Sequence, residues 1–438
     1  MKSNSNKALR LRLKSVAMIF ALTLAAVAAV GLTSCSSDVK EEIEQLFAVV
    51  PSNSSVVVTL NVEQAVKESG GKIADGKVED FGSLTGVMDS ADAPAAVVKT
   101  LQDVGRVTSG PMAGFVYKNQ MYFVTSVDDA DAFKSAYAAE MADKESWTET
   151  DGASVRGNVA VVKDHVWVLP SASAVSDAVG FMTLSEAESF NSNAYAATMA
   201  KSGHSLNVYG DINALLGSGL SFSQQTQARM AMSMVFNQPK YLEAWCDFKE
   251  NSADMTLRLL DGDLKAAKCE LDLSKIDPKV VAGLGGNAET IVAIGVSQKL
   301  VEQISKFAGS FGGGLPIDVS SIISPLQGTQ AFATGNSLAS TGDNNFRAVV
   351  STNGKDNAQL GQLLATLGTV KIDGTTFNIS KGRYGEGALN VSDVAQEMKD
   401  AWLGMAMAKK SGASDEKILV LLEPADGTLQ LRLHVENK

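Results

Sequence analysis

The chain has 438 residues, 45% of them apolar, with 38 basic and 49 acidic side chains and a formal net charge of −11. Such a length supplies one large core or two ordinary ones, since domains run to roughly 100–200 residues. The acidic balance excludes nucleic acid as a partner, and aromatic residues at 6% leave little with which to wall a sugar-binding cleft.

At the N-terminus, Lys2, Lys7, Arg10, Arg12 and Lys14 precede an apolar run over 16–31, the order of a secretory signal. The run falls short of the about 20 apolar residues a spanning helix needs. It closes on Leu32-Thr33-Ser34-Cys35, a lipobox: a small residue directly before the cysteine and a leucine two positions earlier fit a lipoprotein signal peptidase. Residues 1–34 are therefore expected to be removed and Cys35 acylated, by two or three chains, which is what stable anchoring requires. Residues 1–34 carry five basic groups and no acidic one, so cleavage takes the net charge from −11 to −16. Ser36 stands where an Asp commonly retains lipoproteins at the inner membrane, which points to the outer membrane, facing the periplasm or the outside.

Residues 35–45 read as a polar tether, with Asp38, Lys40, Glu41 and Glu42 close behind the cysteine. Folded structure is expected from Leu46. The first clear element is Val50 to Asn61, a strand whose β-branched run is bounded by Pro51 and Asn53 on one side and Asn61 on the other, and Glu63 to Ser69 is a short helix stopped by Gly70-Gly71. A lipobox, a short polar tether, then Val50-Pro51 and an apolar strand ending in Asn61 resemble a family of uncharacterised Bacteroidota lipoproteins. That family brings no activity with it, and the likeness covers the first seventy or so residues best.

Helical spacing follows over 91–104, a hairpin over 111–117 and 120–127 across Lys118-Asn119, and a helix over 130–142. Asp128, Asp129 and Asp131 crowd the start of that helix, where carboxylates are stabilised by the helix dipole without any metal. Short strands continue over 148–155, 159–163 and 166–169, before a helical insertion over 171–202.

Beyond these elements the chain repeats itself. Met230-Ala231-Met232, apolar alternation at Ala244, Cys246 and Phe248, then Met255-Thr256-Leu257-Arg258-Leu259 return, at the same interval to within one residue, as Met405-Ala406-Met407, Ile418, Val420 and Leu422, then Leu429-Gln430-Leu431-Arg432-Leu433. Leu206-Asn207-Val208 matches Leu389-Asn390-Val391, the strand at Val57 matches that at Ile291, and Asp151-Gly152 matches Asp373-Gly374. Order is kept throughout, so the expected fold is α+β: two internally repeated domains, 46–265 and 284–438, joined by a linker over 266–283. Period-two apolar runs alternating with helices predict mainly antiparallel sheets with helices packed on one face.

Few residues suggest chemistry. Cys246 and Cys269 are the thiols left once Cys35 is acylated; they either form a disulfide, closing a loop of about 20 residues and stabilising by about 3 kcal/mol, or stay as buried free thiols. His165, His204 and His434 show no metal-ligand spacing, no Gly-x-Ser-x-Gly elbow occurs, and neither glycine cluster has the lysine of a phosphate loop. No catalytic set, metal site or cofactor is assigned. Asp261 and Asp263 fall in a turn. Met230 and Met234 share a helical face and read as core filler. Trp245 lies between Glu243 and Asp247 on one strand face, placed either to contact a partner or to lie under a helix of its own repeat. The sequence favours a non-catalytic envelope lipoprotein, held to the membrane through Cys35, that binds a protein, peptide or glycan. An envelope hydrolase acting on polysaccharide or peptide through a carboxylate-based site is the alternative.

Overall fold

The computed structural model describes residues 37–74, 77–80, 82, 111–141, 145–219, 221–303, 323–335, 345–354, 358–382, 384–385, 387–411, 414–425 and 427–437. The signal segment, Cys35 and the helix expected over 91–104 lie outside them. The chain divides into two units, Met1–Met230 with Pro239–Lys265, and Ala231–Gln238 with Ala266–Lys438.

In the first unit, the expected tether is largely helix: α1 covers Ser37–Phe47. Val39, Ile43, Leu46 and Phe47 recur at the spacing of one helical face, and the last three are buried in the core. Lys40 and Glu44, on the outer side, form an i,i+4 ion pair at 3.0 Å. The sheet is built from β1 (Val56–Leu60), β2 (Met112–Tyr117), β3 (Gln120–Ser126), β4 (Thr148–Thr150), β5 (Ala153–Arg156), β6 (Val159–Val162), β7 (His165–Val168), β8 (Leu206–Asp211), β9 (Tyr241–Lys249) and β10 (Ser252–Leu260). Its order is β10-β9-β8-β1-β2-β3-β7-β6-β5-β4, every pairing antiparallel. The β2–β3 turn is the expected Lys118-Asn119, both at positive φ (48° and 62°), as a two-residue hairpin demands.

Helix α2 (Val62–Glu68) follows β1, and Asn61 caps it. Helix α3 (Ala130–Glu140) is capped by the Asp129 carboxylate, which accepts from the amides of Asp131 and Ala132 at 3.0 and 2.9 Å. Capping is thus what an acid at this helix start does. Between β7 and β8 the expected insertion is a run of short helical turns, including α4 (Val175–Phe181) and α5 (Ala196–Ala200). Phe181 of α4 packs edge-on against Phe115 and Tyr122 at 5.5 and 5.4 Å. The core beneath also takes in Trp167 and Phe190.

Helix α6 (Ile212–Gly219) follows β8. After it comes α7 (Phe222–Val235), which carries the division between the units at Met230 and Ala231. Met230 and Met234 share a face there, but they are 47% and 37% exposed. The reading of both as core filler is therefore corrected: α7 buries none of its described side chains.

In the second unit, the expected linker belongs to the fold. Ile276, Val281 and Leu284 are buried in its core, and α8 (Pro278–Ala282) starts from an Asp277 cap with proline in its first turn, where a missing N–H costs nothing. The strands are β11 (Thr290–Val296), β12 (Gly328–Thr334), β13 (Phe346–Ser351), β14 (Thr369–Asp373), β15 (Thr376–Lys381), β16 (Leu403–Ser411), β17 (Ser414–Ala425) and β18 (Thr428–Asn437). They run β18-β17-β16-β11-β12-β13-β15-β14, antiparallel throughout. Helix α9 (Ala358–Leu367) covers β14 and β15, and α10 (Val391–Glu397) precedes β16.

Two of the matched segments are not structural equivalents. Met230-Ala231-Met232 is helical, whereas Met405-Ala406-Met407 lies in β16. Leu206 opens a six-residue strand of the main sheet, whereas Leu389-Asn390 forms only a two-residue ladder with Asn287-Ala288. Short apolar triplets fit either backbone, and the neighbours across the sheet decide between them.

Candidate functional site

Strand β9 alternates strictly. Ala244, Cys246 and Phe248, all buried, face one side, so Glu243, Trp245 and Asp247 face the other. Register places Glu243 opposite Tyr209 of β8 and Arg258 of β10, and Trp245 opposite Asn207 and Thr256. The segment ahead of β8 adds Tyr195 and His204 to this polar row.

Glu243 is only 3% exposed, and a carboxylate taken out of water needs partners. It has two: Arg258 donates from Nε to Oε1, and the Tyr195 hydroxyl donates to Oε2. Burial, with the Glu243 carboxylate beside it, pushes the Tyr195 phenol far above its ordinary range, so the hydroxyl stays a hydrogen-bond donor. Tyr195 also stacks on Tyr209 at 4.9 Å, whose own phenol burial pushes up to about 12.

Two groups rest on the Trp245 ring. The Arg258 guanidinium carbon lies 5.3 Å from its centroid, a cation–π geometry, and the His204 imidazole stacks at 5.4 Å with the planes 23° apart. Nδ1 of His204 is 2.5 Å from Oδ1 of Asp247, which fixes the ring. Trp245 is half-buried, and its ring is contacted by a histidine from the connecting segment and an arginine from the next strand. Among the described residues, Nε2 of His204 and both Nη groups of Arg258 make no hydrogen bond.

A row of locked polar groups backs this surface. Ser202 donates to Asn207 Oδ1 at 2.5 Å, and Asn207 donates to the His204 carbonyl at 3.2 Å. Buried Glu68 of α2 accepts from Gln64 at 2.9 Å and from Ser205, tying the helix to the segment that carries His204.

The remaining candidates lie elsewhere. Cys246 and Cys269 are free thiols, the first buried and the second half-buried; burial pushes both thiols up, and Asp247 and Asp254 add to it at Cys246. The Asp261 carboxylate accepts from the amides of Asp263 and Lys265 at 2.8 and 3.0 Å, so it shapes a turn. Among the described residues no three His, Cys, Asp or Glu side chains converge as metal ligands, and no helix is long and apolar enough to cross a membrane. Sequence reasoning found Trp245 by its acidic neighbours but missed Tyr195, His204 and Arg258. Only the β9–β10 hairpin, with Glu243 and Arg258 symmetric about its turn, held a readable sign of one of them. Compared with family models and with curated proteins, the chain matches none.

Proposed function

We propose that the chain is a non-catalytic lipoprotein of the cell envelope, anchored by acyl chains on Cys35 at the outer membrane or cell surface, and that it binds a protein, peptide or glycan through the Arg258–Trp245–His204 surface. The observation that carries this is the fixed amphipathic arrangement: an indole held by two polar neighbours that keep donors or acceptors to spare. Aromatic and arginine side chains in such a setting dominate recognition surfaces because they bring contact area at small cost in rotamer entropy. The mature charge of −16 favours basic or neutral partners.

The same proposal includes a duplicated scaffold. Each unit places its first long strand beside the strand that leads to its last hairpin, and each buries one charge on that hairpin. Glu243 faces Arg258 and is reached by Tyr195; Lys417, 8% exposed, faces Glu436 at 3.8 Å and is reached by Glu397 of α10 at 2.7 Å. One plan with the charges exchanged supports two copies of an ancestral α+β unit. The family likeness of the N-terminal seventy residues belongs to this proposal too.

The test is a photo-crosslinking side chain at position 256, beside Trp245, in intact cells. A discrete crosslinked species that disappears with Trp245→Ala or Arg258→Ala, in protein that still melts cooperatively, is the expected result. A species of wild-type intensity in both variants would refute the assigned surface. The hydrolase reading draws on the His204–Asp247 pair alone, a base with its orienting carboxylate; hydrolysis of envelope polysaccharide or peptide that His204→Ala abolishes would establish it.

A further inference from the structure

Strand β14 is the outermost strand of the second unit: β15 pairs with it on one side and with β13 on the other. Among the described residues nothing pairs with the far edge of β14. Val370 and Ile372 stand opposite Ile379 and Phe377, so they lie on the sheet face where Leu360 and Leu364 of α9 are buried with those two residues. Cover gives out at the edge. Ile372 is 68% exposed, and Leu363 and Leu367, on the same side of α9 as the buried leucines, are 43% and 48% exposed. The helix runs into the strand at Gly368, where a Cβ would sit 2.6 Å from the Ser380 carbonyl oxygen, so α9 is held close above this rim. Lys371 and Asp373 project from the opposite face, and no ion pair joins either among the described residues.

We propose that this edge is a self-association surface, on which two copies of the chain pair antiparallel about a two-fold axis at Ile372, Lys371–Asp373 of one copy opposing Lys371–Asp373 of the other. An unpaired row of N–H and C=O groups bonds to water when exposed and is a ready template for another strand. Charge then selects the occupant and the register. An isologous antiparallel pair opposes residues that are symmetric about the axis. With the axis at Ile372, Lys371 meets Asp373 of the second copy and Asp373 meets Lys371, giving two ion pairs on one face. On the other face Ile372 meets Ile372, roofed by Leu363 and Leu367 of both copies. Sliding the axis to Lys371 opposes lysine to lysine, and sliding it to Asp373 opposes aspartate to aspartate; like charges directly opposite destabilise a sheet. A lysine on an edge ordinarily discourages pairing, but here Asp373, two residues along on the same face, offers it a counterion in a second copy.

Sedimentation equilibrium of the full mature chain carrying Cys35→Ser, which removes the lipid, tests this. The expected result is a monomer–dimer equilibrium that Ile372→Lys abolishes. Lys371→Asp and Asp373→Lys, each of which opposes like charges twice, weaken the dimer by about 10-fold, and the double variant restores it. Thermal unfolding common to all the variants shows that the edge, not the fold, has changed. A monomer at every concentration overturns the proposal, whether the edge stays bare or is kept for a strand of another protein. So does a double variant that fails to recover.

Discussion

Glu243 shows how one residue organises the polar surface of the first unit. Its carboxylate is 3% exposed, and what makes that burial tolerable also fixes Arg258 over Trp245. Arg258→Ala should therefore cost about 2–3 kcal/mol in urea unfolding, because it strands a desolvated carboxylate with Tyr195 alone; the partial exposure of Arg258 holds the figure below that of a fully buried pair. A loss under about 0.5 kcal/mol, the scale of an exposed pair, would mean that water reaches Glu243. The tyrosines give the pH dependence. Tyr122, Tyr195 and Tyr209 all have folded-state pKa values raised, chiefly by burial. A raised pKa adds stability that is complete below the unfolded value, about 10 for tyrosine, and is lost as pH climbs through the folded value. Stability should thus hold to about pH 10 and fall above it, with Tyr209 contributing its loss up to about 12. Absorbance of tyrosinate should rise together with unfolding; ionisation of these tyrosines in a chain still folded at pH 11 would contradict their burial.

Among the elements, α1 changes the reading most. Asp38-Val39-Lys40-Glu41-Glu42 is charged enough to pass for a solvated tether, but Val39, Ile43, Leu46 and Phe47 share one face, and Phe47 packs edge-on against Phe190 at 5.0 Å. Phe47→Ala is expected to cost about 3–5 kcal/mol, the usual penalty for a large core truncation, measured by thermal or urea unfolding; no change would return the segment to a tether. Turns and one helix start were legible, by contrast. Asp129 stands at the acidic start of α3 and caps it, and Lys118-Asn119 and Asp151-Gly152 turn hairpins; Asn61 and Asp277, which also cap helices, read in the sequence as a strand end and as linker. Capping is local, so Asp129→Ala should cost about 1 kcal/mol in the same assay, without altering the cooperativity of unfolding.

For the whole molecule, the proposed placement in the envelope rests on Cys35 and is tested there. Cys35→Ser should abolish incorporation of labelled fatty acid and, because the cleavage site is lost with the cysteine, leave residues 1–34 on the chain; label retained by the variant would put the lipid elsewhere. Dimerisation through β14, if two tethered copies met in the plane of a membrane, would be favoured by their high local concentration.

The sequence by itself determined what depends on neighbours along the chain: the acidic start of α3, the hairpin turns, and the alternation that makes the sheets antiparallel. These are short-range properties, written in consecutive side chains. The tertiary structure alone decided which apolar triplets are helix and which are strand, as with Met230 against Met405, because such triplets satisfy either backbone until a sheet neighbour claims them. It also decided that residues 276–284 belong to a core, that Met230 and Met234 lie exposed, and that Tyr195, His204, Trp245 and Arg258, spread over some sixty residues, meet at one carboxylate and one indole. That meeting depends on strand order and register, through which residues far apart in the chain come to stand opposite one another.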